Sequence, residues 1–241
     1  MHIEGIRENR VAVSLKDGVA HVRLNRPDKR NALDDDLFLS LAAAGEALKN
    51  MSGLRAVVLS GEGESFCAGL DFASFKGMSE RDGETSTIGT MVSSDAITHL
   101  AQQVCWVWQE VPVPVIASLH GHALGGGMQI AMGADIRIAH PETQLSVREV
   151  YWGLIPDMTG TLMLGSLVRP DVARELVYTA RVLPAAEGHG LGLVTRLSDE
   201  PLVEAQALAA EIASRSPDAV RAAKRLLTRQ LKQQAAEQFA A

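Results

Sequence analysis

Two glycine-containing loops hold the residues of this chain whose types and spacing could do chemistry. The first is Ser65-Phe66-Cys67-Ala68-Gly69-Leu70-Asp71, directly after a strand-like apolar run over 55–60. The second is Ala123-Leu124-Gly125-Gly126-Gly127-Met128-Gln129. It follows the β-branched stretch 113–117 and opens a helix-like segment over 128–134. Glycine has no Cβ, so backbone N–H groups in such loops stay open to a ligand. The helix start adds a partial positive charge. That combination suits an oxygen that becomes negative during a reaction, and two N–H donors converging from two loops would form an oxyanion hole. Taken singly, each loop also reads as no more than a tight turn.

The elements that must position these loops are legible from periodicity. Residues 11–15 and 19–24 alternate apolar and polar side chains, and Lys16-Asp17-Gly18 between them is a hairpin signal. Asn31 or Asp34 can cap a helix with apolar positions at Leu37, Phe38, Leu41, Ala42 and Leu48. Gly53 ends that helix, and the strand over 55–60 follows. Residues 73–94 are rich in Gly, Ser, Thr and charge and read as a mobile surface loop. A helix is expected over 96–110, after which Pro112 and Pro114 introduce the next strand.

Beyond the second glycine loop the expected elements are a helix over 127–133 and strands over 135–139 and 144–147. Pro156, Gly160 and Gly165 punctuate the next stretch. Helices then follow at about 170–179, 184–190, 199–214 and 217–235. Strands and helices alternate early and helices dominate late. The expectation is an α/β fold, with a βαβ-type spiral core over 1–195 and a helical C-terminal part over 196–241 within the same functional unit. There is no internal repeat and no low-complexity tract.

Bulk properties exclude several function classes. In 241 residues, apolar content of 46% and charged content of 22% fit a globular protein with a sizeable core. A net charge of −6 argues against a general nucleic-acid or anionic-membrane surface. Two cysteines, Cys67 and Cys105, imply a reducing compartment without a disulfide framework. No apolar run approaches the ~20 residues of a membrane span. The first ten residues hold no secretory h-region, so a cytoplasmic location is expected.

Five ordered segments resemble the enoyl-CoA hydratase/isomerase, or crotonase, family: 21–33, 65–71, 114–127, 134–139 and 153–156. The resemblance spans roughly 11–230. It implies a crotonase-like ββα superhelix, a homotrimer or dimer of trimers, and an acyl-CoA thioester substrate that reacts through an enolate. CoA is then part of the substrate, and neither a metal nor a redox cofactor is implied. Members often carry a further helix beyond the position of Phe239, lining the acyl or CoA pocket. The two oxyanion donors fall on the N–H groups of Leu70 and Gly126. The CoA-binding positions fall on Arg26, Lys29, Arg30, Ala32 and Leu33, and on Ala68, Gly69 and Asp71. Lys and Arg there suit phosphates, while Asp71 also reads as a residue that fixes its own loop.

The resemblance places the family's more C-terminal catalytic glutamate on Glu149. Spacing alone reads Glu149 as a surface carboxylate paired with Arg148 or Arg137. In an apolar pocket, desolvation would raise its pKa and suit it to proton transfer near neutral pH. Gln129 is the informative departure, because family hydratases usually have a second glutamate there. An amide can hold a water or a carbonyl but cannot exchange a proton at accessible pH. Asp157 stands eight positions after Glu149, the interval of the family's dienoyl-CoA isomerases, which also have an acid where Gln129 stands. It reads as a second proton carrier, as an orienter of Glu149, or as the N-cap of a helix starting near Met158.

The expected function is therefore enoyl-CoA double-bond isomerisation in fatty-acid or related acyl-CoA metabolism, with Glu149 as the base. The alternative is an enoyl-CoA hydratase in which Gln129 positions water. An alternative of another class is a non-catalytic acyl-CoA-binding or assembly protein on the same fold. His120 and His122 have no acidic or Cys partner at metal spacing and read as packing residues. Trp106 and Trp108 read as core or interface, and Met158, Leu162 and Met163 as core or acyl-tunnel lining. Cys67 reads as structural. The basic stripe Arg221, Lys224, Arg225, Arg229 and Lys232 reads as a solvated helix face.

Overall fold

The computed structural model describes residues 1–71 and 97–239. The expected loop over 73–94 lies outside the described residues. Strands β1 (Val11–Lys16) and β2 (Val19–Leu24) form the expected hairpin. Asp17 and Gly18 at its turn both have positive φ, as a two-residue hairpin turn requires. Helix α1 (Asp35–Lys49) is capped by Asp34, whose carboxylate accepts from the Leu37 N–H at 2.9 Å. Asn31 caps nothing. It is fully buried, and its Nδ2 donates to the carbonyls of Glu62 and Ser65. Helix α1 closes at Asn50, before Gly53.

Strand β3 (Ala56–Gly61), helix α2 (Leu100–Glu110) and strand β4 (Val115–Leu119) come next. Helix α2 starts on His99, which forms a reciprocal capping box with Gln102. After β5 (His122–Leu124) come α3 (Gly126–Gly133), β6 (Ile136–Ala139) and β7 (Gln144–Ser146). A single 3-10 turn follows over Glu149–Trp152. The chain continues through α4 (Gly160–Leu167), α5 (Pro170–Thr179), β8 (Leu183–Pro184), α6 (Ala185–Leu191) and β9 (Arg196–Leu197). It ends in α7 (Pro201–Ala213), α8 (Pro217–Leu227) and α9 (Arg229–Phe239).

Among the described residues, one sheet has the order β1-β2-β3-β4-β6-β9 and a smaller one the order β5-β7-β8. All neighbours in the first are parallel except β1 and β2. Central strand β4 is buried along its whole length, as a parallel strand covered on both faces must be. The main core lies between the sheet and helices α1, α2 and α3, with Phe38, Leu41, Trp106, Trp108 and Met128 inside it. On the other face, Ala205 and Ala209 of α7 pack on Ala56, Val58, Ile116 and Ile138.

Two expectations are corrected. The single helix over 217–235 is two helices, α8 and α9, broken at Thr228. The Thr228 hydroxyl donates to the Lys224 carbonyl four residues back, at 2.9 Å, in addition to the backbone bond from the Thr228 N–H, and such back-bonding bends helices. The break lets α9 pack Ala235 in the core and Phe239 edge-on against Trp106, with ring centroids 5.3 Å apart. Nor is the basic stripe one solvated face. Lys224 is buried, and its Nζ donates to the carbonyls of Trp108 and Val113 and to Asp135, using all three ammonium hydrogens.

Candidate active site

The two glycine loops are stitched to one another and to the segment after β2. The Cys67 N–H donates to the His122 carbonyl at 2.9 Å, and the Leu124 N–H to the Cys67 carbonyl at 3.1 Å. On the other side, Ala68 N–H donates to Arg30 O, Leu33 N–H to Gly69 O, and Asp71 N–H to Leu33 O. This parallel pairing uses the edge of the chain on which Gly69 and Asp71 bond, so the Leu70 N–H points to the opposite edge. In the second loop the Gly125 N–H donates to Ser146 O at 2.8 Å. The next N–H, on Gly126, is the first of helix α3 and has no partner within that helix. Among the described residues, neither the Leu70 nor the Gly126 N–H donates to a protein group.

Two glycines make this approach possible. Gly69 has φ +94°, and a Cβ there would lie 2.8 Å from the Leu124 carbonyl oxygen. Gly125 has φ +52° and ψ −124°, a conformation reserved for glycine. A Cβ at Gly125 would stand 3.3 Å from Glu149 Oε1.

Leu70, Gly126 and Glu149 all line one cavity of about 330 Å³. Ala68, Gly69, Leu124, Gly125, Arg148, Trp152 and Leu154 complete the lining. Glu149 opens the 3-10 turn after β7 and is buried. Its Oε1 accepts from Gln129 Nε2 at 2.6 Å, while its Oε2 is buried without a partner among the described residues. Burial pushes the carboxyl up to about 6. The Gln129 hydrogen bond opposes this rise and the charge of Asp157 adds to it. Neither Arg148 nor Arg137 pairs with Glu149. Arg137 is buried and donates to the carbonyls of Leu193 and Ala134.

Gln129 is fully buried, and its amide orientation follows from its neighbours. Its Oε1 accepts from the Gly160 N–H at 2.8 Å, and a backbone N–H can only donate. The Nε2 must therefore face Glu149. The N-terminal turn of α4 is what brings Gly160 there. Asp157 does not cap that helix. The cap position is held by Thr159, in a left-handed conformation with φ +77°, and no side chain caps it. Asp157 is exposed instead and acts on Glu149 only through its charge.

The expected CoA segment divides in two. Arg26 is turned inward. It donates to Asp71 at 2.6 Å and to the Ala32 carbonyl, and it pairs with Asp34. Those contacts tie the 26–34 segment to the first glycine loop. Lys29 and Arg30 are exposed, and the backbone groups of Leu33 are taken up by the loop pairing. His122 bonds Ser65, and His120 bonds the Gly63 carbonyl. Among the described residues no group of three or more His, Cys, Asp or Glu could hold a metal. The Cys67 thiol donates to the Asn31 carbonyl, and burial pushes it up to about 12, outside the range of a nucleophile at neutral pH.

Sequence reasoning missed the Gly160 N–H that anchors Gln129. It also missed Arg148, Trp152 and Leu154 as cavity wall. The wall residues are close to Glu149 in sequence, but a 3-10 turn leaves no periodic signature that assigns faces.

Comparison with known proteins bears on this geometry. The family model for enoyl-CoA hydratase/isomerase matches residues 14–241. The chain is 34% identical over 224 residues to the short-chain-enoyl-CoA hydratase of Clostridium acetobutylicum, covering 92% of this chain and 82% of that protein. It is 35% identical over 216 residues to the human mitochondrial Δ(3,5)-Δ(2,4)-dienoyl-CoA isomerase, covering 88% of this chain and 66% of that one. The crystal structure of an enoyl-CoA hydratase/isomerase from Mycobacterium paratuberculosis superposes with a TM-score of 0.82 at 26% identity, covering 96% and 94% of the two chains. The α/β architecture with its helical C-terminal part is the crotonase fold of these neighbours. The chain belongs to the enoyl-CoA hydratase/isomerase family.

Proposed function

We propose that the protein is an enoyl-CoA double-bond isomerase that uses one carboxylate. The thioester oxygen accepts from the N–H groups of Leu70 and Gly126. Glu149 Oε2 removes a proton from one acyl carbon and returns it two carbons away, while the two N–H groups hold the dienolate. Donors aimed at the oxygen that gains charge stabilise the enolate more than the neutral thioester. The observation that carries this reading is the Gln129 amide, tied at one end to Glu149 and at the other to the Gly160 N–H. With no proton to exchange, Gln129 supplies no second acid, and its two bonds fix the amide to Glu149 and Gly160. One base on one face suffices for isomerisation.

Enoyl-CoA hydration is the second reading, favoured by the hydratase from Clostridium acetobutylicum among the similar proteins. In either case CoA is part of the substrate, with Lys29 and Arg30 the exposed cations left to meet its phosphates. Assembly as a homotrimer or dimer of trimers belongs to the same proposal. Among the described residues no helix is long and apolar enough to cross a membrane. The test is incubation with 2-enoyl-, 3-enoyl- and dienoyl-CoA esters in deuterated water. A shifted double bond with no added mass of water supports isomerisation, and the extent of deuterium incorporation reads how far the proton on Glu149 exchanges with solvent. Rapid hydration without double-bond movement replaces it with the second reading.

A further inference from the structure

The mechanism leaves one charged group of the cavity unused. Arg148 precedes Glu149 and lines the same cavity, beside Trp152 and Leu154. Its guanidinium carbon lies 4.8 Å from the centroid of the Tyr151 ring. Among the described residues that stacking is its one side-chain interaction. Glu149 Oε1 accepts from Gln129 and Oε2 has no partner among the described residues, so neither carboxylate oxygen bonds Arg148. The guanidinium is therefore not neutralised by the base beside it. Arg stays charged at any working pH and presents a planar fork of donors that matches a carboxylate. Stacking on Tyr151 occupies one face of that plane, and no hydrogen-bond partner meets its donor edge among the described residues.

The position of this cation fixes which part of a substrate it meets. Leu70 and Gly126, on the glycine loops, mark where the thioester oxygen would lie, and Lys29 and Arg30 stand on the segment that pairs with the first of those loops. Arg148 lines the cavity from a different segment, the one that supplies Glu149 and then Trp152 and Leu154. An anion met by that segment is assigned to the acyl chain, on the side of the carboxylate that moves the proton. We infer that Arg148 selects acyl-CoA thioesters whose acyl chain carries a carboxylate of its own. This rests on the proposed acyl-CoA site, but not on which reaction Glu149 performs there.

Binding of unreactive saturated esters tests the inference apart from turnover. The probes are the length-matched pairs glutaryl-CoA against pentanoyl-CoA and adipoyl-CoA against hexanoyl-CoA, measured by titration calorimetry on the full chain. The wild-type protein should bind the carboxylate-ended member of at least one pair ~10-fold or more tightly, the scale of a charge-assisted hydrogen bond. Arg148→Met should bring the ratio close to one, and Arg148→Lys should keep part of it. Circular dichroism of each variant checks the fold. Equal affinity within both pairs, or no binding of either carboxylate-ended ester, overturns the inference. So does an Arg148→Met variant that weakens all four esters and free CoA alike, which would make Arg148 a contact to CoA phosphates. If carboxylate preference holds while no double bond moves, the isomerase reading fails and this inference stands. The reverse pattern separates them the other way.

Discussion

Gln129 Nε2 donates to Glu149 Oε1 at 2.6 Å, and the far end of the same amide accepts from the Gly160 N–H at 2.8 Å. One buried side chain thus couples the carboxylate of the 3-10 turn to the first residue of α4. The donated hydrogen bond favours the ionised carboxylate, while burial favours the neutral acid, and burial wins: Glu149 is pushed up to about 6. A carboxyl near that value is a strong enough base to take a proton and a strong enough acid to return it near neutral pH.

Glu149→Gln should lower turnover by at least ~100-fold, the scale of general acid–base catalysis, while CoA-ester affinity is kept. The same change should stabilise the fold. A buried carboxyl raised to about 6 destabilises the native state when ionised, so the penalty is absent below 4.5 and complete above about 6. Thermal unfolding should therefore show Glu149→Gln more stable than wild type by up to ~2 kcal/mol at pH 8, with no gain at pH 4. Near-normal turnover would remove Glu149 from the mechanism.

The pH profile of kcat/KM should rise through about 6 as Glu149 ionises. Gly160→Ala should move that rise to higher pH. A Cβ at Gly160 would lie 2.5 Å from Gln129 Oε1 and dislodge the amide whose hydrogen bond holds the carboxyl down. An unchanged midpoint in Gly160→Ala, with the fold intact, would mean that Gln129 does not set the base.

Gly126→Pro should abolish activity, because proline has no N–H to donate. Its ring would also press on Leu33 Cδ1, 2.8 Å from an added Cβ. Leu70→Ala should be milder, since the donor there is backbone. A crystal complex with the thioester oxygen far from both N–H groups would refute the enolate reading.

Gln129→Glu should raise hydration of 2-enoyl-CoA relative to isomerisation of 3-enoyl-CoA, by adding a titrating group beside Glu149. In the wild-type protein the order should be the reverse, with isomerisation faster. Asp157→Asn should lower the pH at which kcat/KM rises, because the Asp157 charge raises Glu149. A large loss of maximal rate in that variant would make Asp157 a proton carrier instead. The measurement is product mass and deuterium position with both substrates.

Lys224→Ala should lower stability by ~3 kcal/mol, the cost of leaving a buried partner unpaired. Asp135 would lose its ammonium, and the carbonyls of Trp108 and Val113 would lose their donor. Lys224 is absent from the cavity lining, so calorimetric Tm should fall while substrate affinity at low temperature is kept.

The sequence by itself determined what local rules govern. The β1–β2 hairpin follows from alternation around Asp17-Gly18, α1 from its apolar stripe after a cap at Asn31 or Asp34, and the two open loops from glycines between a strand and a helix. The family follows from five ordered segments, and the resemblance singles out Glu149 and Gln129, which the structure brings into hydrogen-bond contact. Local rules failed where a residue's partner is remote in sequence. Thr228 reads as an ordinary helical residue, but the core position of Phe239 against Trp106 requires a break there. Lys224 reads as one more surface cation, but the acceptors that bury it lie 89 to 116 residues away. Asp157 has the composition of a cap, but the turn at Thr159 places the helix start beyond its reach. Tertiary structure also decided that Arg26 faces Asp71 and Asp34, because the charge nearest in space, not in sequence, claims a guanidinium. The link from Gly160 through Gln129 to Glu149 spans 31 and 20 residues, and no periodicity within one element encodes it. Packing of α3 against α4 creates it, and the link opposes the rise that burial imposes on the carboxyl.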